Sequence, residues 1–221
     1  MITLSSAPVA PLLARLFADA DANPPAQSPA FAGVTSEDHR RMMRSKTDYR
    51  EFYAKLSDFA LPVSPEVGRL LYMLARATNA RSIVEFGTSF GLSTLHLAAA
   101  LRDNGGGRLI TSEFEPTKLA RAKSNLAEGG LAELVEFREG DALETLGIDL
   151  PETIDLLLLD GAKALYLDIL DRLESRLRPG AILIADNADY CPEYLARVRA
   201  LNNGYMSMPF SDEVELSIRV G

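Results

Sequence analysis

The sequence has a single cysteine, two histidines and fewer basic than acidic residues, 23 Lys and Arg against 31 Asp and Glu. The lone Cys191 excludes an intramolecular disulfide and suits a reducing compartment. A net charge of −8 argues against a nucleic-acid backbone as main partner, because such proteins carry a basic face. A small or neutral substrate is easier to reconcile with it. No apolar run approaches the ~18 residues that a membrane helix needs. The opening Met-Ile-Thr-Leu-Ser-Ser lacks the basic stretch of a signal peptide. The expectation is a cytoplasmic protein with no membrane partner. Repeats of roughly 20–50 residues, the mark of solenoids, are also missing.

What is present fits one α/β domain. The 221 residues suffice for a full-sized core, and 47% hydrophobic with 24% charged content is ordinary for a globular chain. The organising stretch is Arg81–Leu101. Ile83, Val84 and Phe86 read as a buried strand, Gly87 and Gly91 break it, and Leu92, Leu95, Leu97, Ala98 and Leu101 resume at helical spacing. Strand, glycine turn and helix open a nucleotide-binding α/β sheet. The spacing here is Glu-x-Gly-x-x-x-Gly, from Glu85 to Gly91. A carboxylate at the strand end would repel a pyrophosphate at the helix N-terminus. It suits a cationic ligand, such as the sulfonium and amino groups of S-adenosylmethionine; a tight turn with a solvated Glu85 is the plain alternative. Neither Gly-x-Gly-x-x-Gly nor Tyr-x-x-x-Lys occurs, which counts against a nicotinamide-dependent oxidoreductase.

Around this stretch the pattern alternates. Leu12, Leu13, Leu16 and Phe17 fit one face of a short N-terminal helix, and residues 21–29 read as a proline-rich linker. Arg40, Arg41, Arg44 and Lys46 read as a solvated helix face, with a flexible substrate-covering segment as the alternative. Tyr49, Phe52, Tyr53, Leu56 and Phe59 predict an amphipathic helix up to Pro62, and Ser64-Pro65-Glu66 starts another. Residues 1–60 are thus expected to form an arm that packs, dimerises or covers substrate, and 61–221 the main domain. Further strands are expected at 108–112, 134–137, 154–159 and 181–185, with helices between them. Residues 204–208 and 214–220 lack an intervening helix, hence an antiparallel hairpin. The prediction is a seven-stranded, mostly parallel sheet with helices on both faces and right-handed crossovers.

Ligands of such sheets sit at the C-terminal strand ends. Acids stand at or after every parallel strand: Glu85, Glu113, Asp141, Asp160 and Asp186, the last followed by Asn187. Glu113 lies 26 residues after Gly87, near where a carboxylate accepts ribose hydroxyls. Asp160, Asp186 and Asn187 offer oxygen ligands suited to a hard cation such as Mg²⁺. Cysteine and histidine are missing from this edge, so zinc does not fit. Lys163 follows Asp160 by three residues and places an amine beside that cluster.

Glu-Phe-Gly-Thr-Ser-Phe-Gly-Leu-Ser, Thr-Ser-Glu-Phe-Glu-Pro, Glu-Gly-Asp-Ala, Leu-Asp-Gly-Ala-Lys-Ala-Leu-Tyr and Ala-Asp-Asn follow in order. Over residues 62–221 the chain resembles class I S-adenosylmethionine-dependent O-methyltransferases of the cation-dependent catechol and caffeoyl-CoA type. The resemblance implies a Rossmann-like sheet with Val63, Glu85, Gly87, Ser89 and Ser93 at the methionine end of the cofactor. It gives Glu113 the ribose, Asp141 and Ala142 the adenine, and Asp160 a place near the cofactor as well as the metal. Asp160, Asp186 and Asn187 would bind the divalent cation, and Lys163 would deprotonate the hydroxyl of a small aromatic acceptor. A homodimer is also implied.

Two stretches depart from the family pattern, Gly161-Ala162 and Ala188-Asp189-Tyr190, and both suggest a different substrate wall. His96, in an apolar helical series, reads as packed rather than catalytic, and a substrate role for His39 is remote. Cys191, with no basic neighbour, does not read as a nucleophile. The competing function is a metal-independent N-, C- or O-methyltransferase of the same fold.

Overall fold

The computed structural model describes residues 2–28 and 31–221, so Pro29 of the expected linker lies outside the described residues. The apolar runs become strands β1 (Ser82–Phe86), β2 (Arg108–Glu113), β3 (Val135–Glu139), β4 (Ile154–Leu159) and β5 (Leu177–Asp186). They are joined by β6 (Tyr205–Pro209) and β7 (Val214–Arg219) in one sheet of order β3-β2-β1-β4-β5-β7-β6. Pairing is parallel from β3 to β5, and β7 runs antiparallel to both neighbours. Leu156, Leu157, Leu158 and Leu159 are fully buried, as befits a central strand covered on both faces.

Helices α1 (Val9–Ala22), α4 (Pro65–Ala77), α5 (Leu92–Asp103) and α6 (Pro116–Glu128) build one face; α2 (Ser36–Met43) and α3 (Tyr49–Ala54), between α1 and α4, form a capping segment. The short α7 (Ala142–Thr145), α8 (Tyr166–Leu173) and α9 (Pro192–Arg199) lie on the other side. Every residue from Leu92 to Leu101 is buried, because α5 is enclosed by the sheet, α4 and α1. Val9, Leu12, Leu13 and Leu16 of α1 enter the same core. Outside it, Thr3 bonds Asp103 through backbone and hydroxyl, and Arg15 pairs with Glu128.

Three local expectations change. The helix expected up to Pro62 stops at Ala54, and Leu56, Ser57 and Phe59 continue in i→i−3 turns that bury Leu56. Strand β5 starts at Leu177, four residues before the expected Ala181. Pro179-Gly180 falls inside it where the register to β4 slips, with Gly180 at φ +82°. The basic cluster is more than a solvated face: Arg44 donates to the Asp189 carbonyl and Lys46 pairs with Asp168 at 2.5 Å. These bonds tie the cap to α8 and to the loop after β5. Among the described residues no helix is long and apolar enough to cross a membrane.

Candidate active site

The glycine turn brings the ends of β1 and β4 into contact. Gly87 has φ +103°, and a Cβ there would stand 2.6 Å from the Asp160 carbonyl oxygen and the Gly161 nitrogen. Only glycine allows that approach, which places Asp160 beside the turn. Asp160 N also donates to Phe86 O at 2.8 Å. A Cβ on Gly161 would meet the Phe86 ring at 2.5 Å. Its small size therefore answers the large side chain at the end of β1.

Gly87, Ser89, Glu113, Asp141, Ala142 and Asp160 line one cavity at the C-terminal edge. Val63, Glu85 and Ser93, expected around the methionine end, are outside that lining. Val63 is in the core. Glu85 is wholly buried and accepts from Ser93 Oγ, Thr94 Oγ1 and Thr111 Oγ1, each at 2.6 Å. Burial pushes its carboxyl up, against the pull of those hydroxyls. The plain alternative of a solvated Glu85 is overturned.

Glu113 takes Ser89 N–H on one oxygen and Glu115 N–H on the other, both at 2.9 Å. Burial raises its pKa. Asp141 caps α7, accepting from Leu143 N at 2.9 Å, and pairs with Arg50 of the cap. Lys118, Tyr49 and Phe114 complete this wall, and sequence reading passed over all three as sites. Lys118 stands in the first turn of a predicted helix, where a lysine carries no distinguishing signal.

Asp160, Lys163, Asp186 and Asn187 line a second cavity that shares Tyr53, Leu61 and Asp160 with the first. Lys163 Nζ lies 2.7 Å from Asp160 Oδ1 and 3.3 Å from Asp186 Oδ2. Burial opposes the lysine's charge, but the two carboxylates outweigh it and hold the amine well above its ordinary pKa. Burial pushes Asp160 up to about 7, although Lys163 pulls it down. Tyr166 OH donates to the Asp186 carbonyl at 2.7 Å, and Asn187 is held at φ +48°. Asparagine tolerates that left-handed region better than most non-glycine residues.

Among the described residues no group of three His, Cys, Asp or Glu side chains forms a metal cluster. The third donor in this set is the Asn187 amide. The two carboxylates converge on one cation, the Lys163 ammonium, and an all-oxygen set fits a hard divalent ion.

The outer wall of the second cavity is aromatic. His39 is 5.5 Å from Phe31 and 6.1 Å from Phe52 and Tyr190, centroid to centroid. Of the two stretches that depart from the family pattern, Tyr190 stands in this wall, while Gly161 lines the first cavity. His96 is packed in the core, with Nδ1 2.8 Å from Leu92 O, and burial lowers its pKa. Cys191 is buried and pushed up by that burial, as an unreactive thiol is.

Sheet order, reversed β7 and strand-edge cavity are those of the class I methyltransferase fold. Residues 84–188 match the model of a methyltransferase domain. The chain is 37% identical over 131 residues to a catechol O-methyltransferase of Niastella koreensis, covering 58% of each. It is 33% identical over 177 residues to catechol O-methyltransferase B of Danio rerio, covering 75% of this chain and 64% of that one. These matches span less than two thirds of the curated relatives' length. The O-methyltransferase TomG of Streptomyces achromogenes, solved with S-adenosylmethionine, superposes with TM-score 0.63 and 27% identity over 85% of this chain and 92% of that one. Residues 84–188 are thus similar to a methyltransferase domain, and the relatives named here are catechol O-methyltransferases.

Proposed function

We propose that the protein is a divalent-cation-dependent O-methyltransferase that methylates a hydroxyl of a small aromatic, catechol- or phenol-like acceptor. The supporting observation is Lys163, whose amine meets Asp160 and Asp186 where the two cavities adjoin. On this reading the first cavity takes S-adenosylmethionine, with Glu113 at the ribose and Asp141-Ala142 at the adenine. The second takes the acceptor ring between Phe52 and Tyr190. Asp160, Asp186 and Asn187 hold the cation, Mg²⁺ by the chemistry of their oxygens. A bound divalent cation supplies charge that lowers the pKa of an adjacent hydroxyl.

Asp160 and Asp186 would hold the cation and so cease to hold the Lys163 ammonium charged, which would leave Lys163 to take the acceptor's proton. Tyr53 and Leu61, common to both cavities, orient acceptor and donor for transfer. A homodimer in the cytoplasm belongs to the same proposal. Methyl transfer to catechol, assayed with Mg²⁺ and with EDTA, tests it. Chelation is expected to abolish turnover, and Lys163→Ala to lower kcat by about 10²–10⁴-fold, the span of a general base. Full activity in EDTA would remove the metal. That result favours a second reading, a metal-free enzyme, which draws on the ammonium already standing between the two carboxylates.

A further inference from the structure

Lys118 is the cation in the wall of the first cavity, and the chemistry proposed for Lys163 and the metal ligands does not involve it. It sits in the first turn of α6, five residues after Glu113, with only 3% of its surface exposed. Lysines are almost never so buried unless paired. Yet among the described residues its amine makes no hydrogen bond and no ion pair. Its one ring contact is with Phe90, Nζ standing over the ring at 5.9 Å from the centroid, the outer reach of a cation–π interaction and no substitute for a hydrogen bond. Nor is Nζ among the fully enclosed atoms that lack a partner; it opens into the cavity.

The surroundings tell what such an amine can meet. Glu113, Glu115 and Asp160 attract it and Arg121 repels it, while burial is the largest influence and lowers its pKa to about 8. Were Lys118 the counter-ion of Glu113, the two would be in contact. Each Glu113 oxygen is instead engaged by a backbone N–H, leaving further lone pairs free. A carboxylate that can only accept and an ammonium that can only donate thus face one space. A ligand that uses both must offer donors and acceptors side by side, as a vicinal diol does.

We propose that Lys118 is a contact residue for the methyl donor, its ammonium donating to a ribose hydroxyl oxygen while Glu113 accepts from the same diol. This rests on the reading of the first cavity as the S-adenosylmethionine site. The buried amine without a hydrogen bond is then explained as a group whose acceptor arrives with the ligand. Its stability penalty in the free protein is the expected cost of a preorganised site.

Calorimetric titration of wild type and Lys118→Met with S-adenosylhomocysteine and its 2′,3′-dideoxy analogue tests the assignment. Methionine keeps an unbranched side chain of similar length and removes the charged donor, together with its distant contact over Phe90. The variant is expected to bind S-adenosylhomocysteine about tenfold more weakly or worse, the worth of a hydrogen bond from a charged group. The dideoxy analogue should bind wild type and variant alike, and the ligand-free variant should melt at or above the wild-type temperature. Equal affinity of wild type and variant for S-adenosylhomocysteine overturns the proposal. So does an equal loss for both ligands, which would mark Lys118 as a structural counter-ion. If wild type binds neither ligand, the reading of the cavity fails, and the assignment with it.

Discussion

Single residues carry the electrostatics of this protein, and Lys118 gives the cleanest handle. Its folded pKa is about 8 against 10.5 for a free lysine. Between those values the unfolded chain binds more protons than the folded one, so stability rises with pH. The penalty is present in full below about 8 and is gone above 10.5. Urea denaturation of wild type and Lys118→Met across pH 7.5 to 10.5 should therefore show wild type gaining on the variant. A tenfold difference in proton affinity between the folded and unfolded chain is worth about 1.4 kcal/mol, so a gain of roughly 1–3 kcal/mol is expected. Parallel curves for the two proteins would contradict it.

Glu85 and Glu113 teach a related lesson. Both were legible as acids at strand ends, and their places in the fold agree. Their orientation was not legible, since it depends on the hydroxyls of Ser93, Thr94 and Thr111, from the next two elements, which together engage both oxygens of Glu85. Among the described residues Glu113 accepts hydrogen bonds from backbone N–H groups alone, and it lines the cavity.

At the scale of elements, the glycine turn is a packing device before it is a ligand site. Gly87 lets β1 and β4 end against each other, at a φ of +103° that other residues rarely adopt. Gly87→Ala must move the Asp160–Gly161 backbone, which lacks the freedom of a side-chain tip. A loss of about 2–4 kcal/mol is expected in chemical denaturation. A melting temperature within a degree of wild type would show that the turn relaxes.

Strands and long helices were readable because period-2 and period-3.6 patterns are local. The missed boundaries have tertiary causes. Tyr49–Ala54 ends early because the i→i−3 turns after it deliver Leu56 to the core. Strand β5 begins early because β4 offers Leu177 a partner in Ile154 across the bulge.

For the whole molecule, α1 belongs to the main core. Leu12 is 3% exposed and shares a hydrophobic cluster with Leu95 and Leu126 of α5 and α6. Leu12→Ala should cost about 2–5 kcal/mol, as a large-to-small change in a packed core does, measured by urea unfolding of the intact chain. A helix that served only to meet a second copy would leave the unfolding of a single chain unchanged.

The cap has a comparable long-range role. Arg50 with Asp141, Lys46 with Asp168 and Arg44 with the Asp189 carbonyl hold Tyr53 and Phe52 over the strand edge. Through these contacts residues 31–61, the least readable part of the chain, become the walls of both cavities. By itself the sequence determined the parallel sheet, the hairpin and the row of strand-end acids, because each follows from local periodicity and from where a strand must stop. Only the tertiary structure decided which acids line the cavities. It also set Lys163 between two carboxylates and, among the described residues, left the Lys118 amine without a hydrogen bond, for these depend on side chains distant in sequence meeting in one low-dielectric space.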